Sequence, residues 1–274
     1  MARCVKCRKW GFFLKTDANG MCKKCLREEY VRKRNELATE TLKNIPMVEI
    51  AISHEKTKSR ALYELEVIKF SNITPKGKYP EFVVVDVETT GLKASRDRIV
   101  EIAAVRFVDN KPTEMFSTLI NPEISIPKDA SDVNGITNEM VKDSPTIQQT
   151  IKAFDVFVGG SDIVAHNLSF DLGFIHKSGS SITDTKRRYF CTLEQGQKLL
   201  KKLKRRWNKE YEFYEEDYES DYDVEDHKLG TLCEYFDIVN PSQHRAYADA
   251  YCTGLLFLEM INMKQSASPL RDIS

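Results

Sequence analysis

The chain of 274 residues carries 41 Lys plus Arg against 41 Asp plus Glu, so its overall charge neither selects nor excludes a polyanionic partner and has to be read by region. Single cores stop growing near about 250 residues, so one large α/β domain with a small appendage is expected. No run of about 18 apolar residues is present, and charges and cysteines stand where a secretory leader would be apolar, which points to a soluble cytoplasmic protein.

The first 25 residues hold two Cys-x-x-Cys pairs, Cys4/Cys7 and Cys22/Cys25, separated by a segment with Gly11 and the turn signal Asn19-Gly20. Seven cysteines, with Cys191, Cys233 and Cys252 scattered through the remainder, do not make a disulfide framework. Twin knuckles at this spacing fit one structural Zn²⁺ held by four thiolates, a module similar to a zinc ribbon; the bland alternative is a tail of unliganded thiols. Met1 to Ile45 carries 12 Lys or Arg against 5 Asp or Glu, which suggests docking on nucleic acid, although a protein partner suits such modules equally. Strong helix formers run from Leu26 to about Asn44, until Pro46 stops them, with apolar residues thinly spaced enough to predict a mostly solvated helix.

Residues 46–80 read as a connector, residues 81–263 as the main domain and residues 264–274 as a flexible tail. Phe82-Val-Val-Val85 predicts a strand buried on both faces, and Ile99–Val108 and Met115–Ile120 predict two more in an antiparallel meander. Ser144-Pro145 is expected to cap an amphipathic helix carrying Ile147, Ile151 and Phe154, ended by Gly159-Gly160 and followed by a strand at Ile163–Ala165. Asn167 is a reasonable N-cap for the next helix, and helical runs follow over Leu193–Leu203, Leu229–Phe236 and Ala246–Met263. Three strands and then alternating helix and strand imply an α/β fold, a mixed sheet flanked by helices.

Asp86 and Glu88 follow the apolar run directly, and residues i and i+2 of a strand share a face. Such pairs also occur as solvent residues at sheet margins. Here a third acid, Asp171, falls in the first turn of a separate helix, and a fourth, Asp249, lies near another helix start. Four acids from three elements suit Mg²⁺ and the two-ion chemistry of phosphodiester cleavage. His244, five residues before Asp249, cannot share its helix face; from the preceding loop its imidazole, ordinarily of pKa about 6.5, is placed to act as a base. A surface histidine beside Arg245 is the alternative. Glu101 reads as an outward carboxylate or a partner for Arg98 or Arg106.

VVVDVETTGL, AHNLSFDLGF and HRAYADA resemble the three motifs of the DEDDh-type 3′-to-5′ exonuclease superfamily, which includes the proofreading epsilon-type subunit of bacterial DNA polymerase III. RIVEIAAVRF, INPEISIP and NGITNEMV extend the likeness across about residues 81–262. The resemblance implies an RNase H-like fold, with Asp86, Glu88, Asp171 and Asp249 holding two Mg²⁺ or Mn²⁺ ions and His244 as general base. It also implies that Thr89, Thr90, Gly91 and Leu92 cradle the terminal nucleotide, with Phe170 lining the same pocket. His166 and Asn167 match the pattern too, as substrate-binding residues or, for Asn167, as a helix cap.

The expected activity is release of nucleoside monophosphates from a 3′ end, DNA first, with RNA trimming or a non-catalytic binding adaptor on the same fold as alternatives. Compact members run briefly from the second motif to the third, whereas Lys198–Asp226 here inserts a basic run and then an acidic one. Asn208–Asp226 has ten acids, Lys209 as its sole base, and Tyr211, Phe213, Tyr214, Tyr218 and Tyr222. That composition predicts a flexible loop whose aromatics dock on a partner or stack on bases. Oligomeric state leaves no mark in the sequence.

Overall fold

The computed structural model describes residues 2–3, 5–8, 10–11, 20–48, 80–184, 187–208 and 212–266. Cys4, most of the connector, Tyr211 and most of the tail lie outside these residues. The chain divides into two compact units, Met1–Asn44 and Ile45–Ser274.

In the first unit β1 (Ala2–Arg3) and β2 (Trp10–Gly11) pair antiparallel, and α1 (Lys23–Asn44) follows Cys22. Helix α1 is solvated along most of its length: Tyr30 and Leu37 are exposed, and Lys33–Glu29 and Arg32–Glu36 pair one turn apart. Such exposed pairs are worth about 0.3–0.5 kcal/mol each, so propensity and charge sustain this helix more than burial does.

The second unit is built on a five-stranded sheet of order β5-β4-β3-β6-β7: β3 (Glu81–Thr89), β4 (Ile99–Val108), β5 (Lys111–Leu119), β6 (Ile163–Ala165) and β7 (Tyr189–Cys191). The first three form the predicted meander, and β6 and β7 add in parallel, giving the mixed α/β sheet expected. Strand β7 was not foreseen. At the start of the span read as a connector, the Val48 N–H donates to the Met115 carbonyl at 2.8 Å and the Met115 N–H to the Pro46 carbonyl at 2.9 Å, alongside β5.

Alternation along β3 assigns the two faces. Val83, Val85 and Val87 join Ile102 and Ala104 of β4 in a core closed by α4 (Ile147–Val158) and α5 (Leu168–Lys177). Phe82 and Val84 face the other way, where α8 (Ala246–Ser266) lies across the sheet. There Phe82 stacks on Phe107 at 4.9 Å and Phe257 of α8 meets Phe82 edge-on at 5.0 Å. Asp86 and Glu88 continue this second face, so the strand that builds the core also delivers two acids beneath α8. Helices α6 (Thr192–Leu199) and α7 (Leu229–Tyr235) pack against α8, while α2 (Lys128–Asn134) and α3 (Asn138–Val141) follow β5.

Three local expectations are corrected. The helix after Ser144 is capped at Thr146, whose N–H donates to Gln149 Oε1 at 2.8 Å, because Pro145 holds the chain extended until then. Helix α6 stops at Leu199 and does not reach Leu203. The insertion forms a hairpin, β8 (Arg205–Asn208) against β9 (Phe213–Glu216), in place of a loop. Among the described residues no helix is long and apolar enough to cross a membrane.

Candidate active site

Short β6 leaves a gap that the site uses. It pairs with β3 only at Val83 and Val84, so the Val87 amide, which points to the same side, has no strand partner. Asp171, in the first turn of α5, fills that position: its Oδ1 accepts from the Val87 N–H at 3.1 Å. Its Oδ2 is buried without a hydrogen-bond partner. A register shift between Glu88 and Thr89 ends the regular ladder at the acids, where a bulge re-aims side chains.

Asp249 comes from the first turn of α8 and is held on both oxygens, by the Asn240 side-chain amide and by the His244 backbone N–H at 3.2 Å. Carboxylate oxygens of Asp86, Glu88 and Asp249 lie within 4.8 Å of one another. Burial is the largest cause pushing all four acids upward, and their mutual repulsion adds to it: Glu88 rises to about 8, Asp249 to about 6, and Asp86 and Asp171 well above the usual carboxylate range. A cluster so costly to ionise is the donor set of hard divalent cations, and the orphaned Asp171 oxygen fits a ligand in waiting.

His244 sits just before α8 with φ 62°, in the loop as predicted, its backbone pinned by Asp249. Sequence reasoning missed what holds that loop. Glu101, opposite Glu88 across the sheet and 1 % exposed, accepts from Arg245 Nε and Nη2 at 3.0 and 2.9 Å and from the Ala246 N–H at 3.0 Å. It is neither outward nor bonded to Arg98 or Arg106; Arg106 pairs with Glu81 and Glu114 instead. Asn240 was missed likewise, and no signal marks either residue, because each acts on a group distant in sequence or unremarkable in type.

Asp86, His166, Asn167, His244 and Asp249 line one cleft of about 1630 Å³. Asn167 takes the N-cap position of α5 with φ 63°, yet its side chain makes no cap bond and is exposed to the cleft, so capping does not explain it. His166 bonds Thr192 Oγ1 at 2.9 Å and the His227 backbone, and burial lowers its pKa to about 4, so it is neutral near pH 7. Thr90 is turned inward, its Oγ1 accepting from the Arg98 N–H at 3.0 Å, while Thr89 Oγ1 donates to the Gly91 carbonyl at 2.6 Å. A Cβ on Gly91 would lie 2.6 Å from Asp97 Oδ2, so a larger residue there has to displace the carboxylate that accepts from the Lys93 N–H. Leu92 projects with 83 % of its surface exposed, and Phe170 packs on Phe174 at 5.0 Å. In the N-terminal unit, sulfurs of Cys7, Cys22 and Cys25 cluster within 4.8 Å, with Cys7 and Cys22 3.8 Å apart.

A mixed sheet that clusters acids of β3 and α8 at one cleft, with the buried Asp171 of α5 against the end of β3, defines a nuclease domain of hydrolase type. The exonuclease (RNase T) family model matches residues 83–257, and the chain belongs to that family. DNA polymerase III PolC-type from Halalkalibacterium halodurans is 35% identical over 183 residues, 66% of this chain and 11% of that protein. The 3′-5′ exonuclease DinG of Bacillus subtilis is 34% identical over 185 residues, 66% of this chain and 17% of its own length. The chain thus spans only a small part of these relatives. Among solved structures, E. coli Exonuclease I in complex with a dT13 oligonucleotide shares the fold, with TM-score 0.52 and 16% identity over 69% of this chain and 42% of that one.

Proposed function

We propose that the domain is a 3′-to-5′ exonuclease that hydrolyses the last phosphodiester of a strand, DNA before RNA, releasing a nucleoside 5′-monophosphate. The observation that carries this reading is the convergence of Asp86, Glu88, Asp171 and Asp249, acids whose ionisation together is unfavourable without divalent cations. These four would hold two Mg²⁺ or Mn²⁺ ions, which when bound acidify water and stabilise the attacking and leaving oxygens. His244 takes the proton from the attacking water as its oxygen bonds phosphorus and the P–O3′ bond breaks, leaving a 3′-hydroxyl on the shortened strand. Asp249 fixes the backbone of His244, and Glu101, through Arg245 and Ala246, fixes the start of the helix that carries Asp249 and that His244 precedes. Thr89, Gly91, Leu92 and Phe170 shape the seat of the terminal nucleotide around the Thr90 anchor, with Asn167 on the cleft wall. His166, being neutral, contributes a hydrogen bond and shape, not charge.

DNA is placed first because relatives of the matched region are named for DNA polymerase III. The test is a time course on 5′-labelled single-stranded DNA, duplex DNA and RNA with Mg²⁺ or Mn²⁺. Stepwise shortening from the 3′ end is expected, abolished by Asp86→Asn and reduced about 10²- to 10⁴-fold by His244→Ala, the range for one general base. Activity that survives Asp86→Asn, or shortening from the 5′ end, overturns the reading.

The N-terminal unit we read as a structural zinc site of Cys4, Cys7, Cys22 and Cys25. Four sulfurs about 2.3 Å from a tetrahedral ion stand about 3.8 Å apart, the separation of Cys7 and Cys22. Metal analysis is expected to find one zinc per chain, lost in Cys22→Ser; a zinc-free protein with an ordered N-terminus refutes it. Its excess of Lys and Arg suits docking on nucleic acid.

A further inference from the structure

The insertion is anchored, not loose. Leu200, Leu203 and Val224 are buried, Leu203 N–H donates to the Val224 carbonyl at 2.8 Å, and His227 bonds the Leu200 carbonyl at 3.1 Å. Its far arm reaches His166 through the His227 backbone, so hairpin and nuclease motif are joined beside the cleft. Lys202, Arg205, Glu216 and Tyr218 line the same cleft as Asp86, His244 and Asp249.

Strand parity then gives the hairpin two faces. Arg205 pairs with Glu216 in register and Trp207 with Tyr214, so these four share the face that turns toward the cleft, while Arg206 and Glu215 share the other. Trp207 and Tyr214 meet edge-on at 4.9 Å, yet Trp207 is 48 % exposed and Tyr214 63 %, and Tyr218 beyond them is 62 % exposed. Exposed aromatics on the strand face that carries the cleft-lining Arg205 and Glu216, with Tyr218 itself lining the cleft, have a π-face to offer. The wall's charge points to the same kind of ligand contact. Lys202, Arg205 and Lys228 line the cleft together with Glu216, Glu225, Asp226 and Glu234, and Glu216 is paired with Arg205 and Asp226 with Lys228. This wall therefore has no excess of positive charge to track phosphates, which leaves base stacking as what it supports.

We infer that the cleft-facing side of the β8–β9 hairpin, with Trp207, Tyr214 and Tyr218, is a stacking platform for unpaired bases upstream of the scissile bond, so that the preferred substrate is a single strand. The inference rests on the exonuclease reading for the direction of the strand. Stacking is tolerant of sequence, so the platform confers preference for strandedness and length, not for base identity.

The test is fluorescence anisotropy with oligothymidylates of about 15 and about 4 nucleotides, Ca²⁺ replacing Mg²⁺. The W207A/Y214A double variant is expected to bind the long strand about 10-fold or more weakly, with affinity for the short one unchanged, and W207F/Y214F to restore long-strand binding. Unchanged long-strand affinity in W207A/Y214A overturns the platform, as does an equal loss on both lengths. So does unchanged DNA binding with loss of a protein partner captured by the wild-type chain. Wild-type protein that binds by length but never shortens DNA in Mg²⁺ upholds the platform while the exonuclease reading falls.

Discussion

Glu101 shows how a residue that touches no substrate can matter to this site. Its carboxylate is buried, bidentate with Arg245, and bonded to the first amide of α8, that of Ala246, two residues beyond His244 and three before Asp249. Glu101→Gln keeps the shape but leaves the half-buried guanidinium opposite a neutral amide, at a cost of about 1–3 kcal/mol in stability. Because misplacement of a catalytic group lowers turnover without weakening substrate binding, kcat is expected to fall about 10-fold with KM unchanged. Steady-state kinetics on a short oligonucleotide separates the two; a rise in KM alone sinks the positioning role. The four acids and His244 were legible in the sequence because their motifs are local and chemically distinctive. Glu101 was not, since its partner lies 144 residues away and another arginine, Arg106, stands nearer in the chain.

Strands β3, β4 and β5 and helices α4, α5 and α8 were legible for a simple reason: each carries enough apolar residues, as a continuous run in β3 and at helical spacing in α4, to mark it. Helix α8 packs closely on the sheet at Gly254. A Cβ on Gly254 would stand 2.3 Å from the Phe107 ring, which is itself stacked on Phe82 beneath Phe257. Gly254→Ala is therefore expected to destabilise by about 1–3 kcal/mol despite the better helix propensity of alanine. A raised melting temperature would show that the aromatic stack yields freely. The hairpin was illegible for the opposite reason. Ten acids in Asn208–Asp226 read as disorder when that stretch is taken alone. Its partner is the basic run just before it: Arg205 meets Glu216, Arg206 meets Glu215, Lys201 meets Asp221, and Trp207 meets Tyr214. Complementarity across a turn is invisible to composition.

At the scale of the whole molecule, a net charge of zero conceals the most consequential electrostatic feature, four acids close enough to repel one another. In the metal-free protein Glu88 titrates near 8 against 4.5 when unfolded, and Asp249 near 6 against 3.8. Folded pKa values above the unfolded ones mean that the folded state holds extra protons between about pH 4 and 8. Stability is then fully present below the unfolded values and is lost as pH rises through the folded ones. Melting in EDTA is expected to fall progressively from pH 6 to pH 8. Divalent ions and protons compete for the same oxygens, so added Mg²⁺ or Mn²⁺ should stabilise little at pH 6 and most at pH 8. At about 100-fold over Kd that stabilisation is about 2.7 kcal/mol, or roughly 5–10 °C for a domain of this size. Asp86→Asn removes one charge, so it should raise the metal-free melting temperature at pH 8 while abolishing the response to Mg²⁺. A wild-type melting temperature in EDTA that stays flat from pH 6 to 8 would mean that the acids are not held together in solution, and the metal assignment would fall with them.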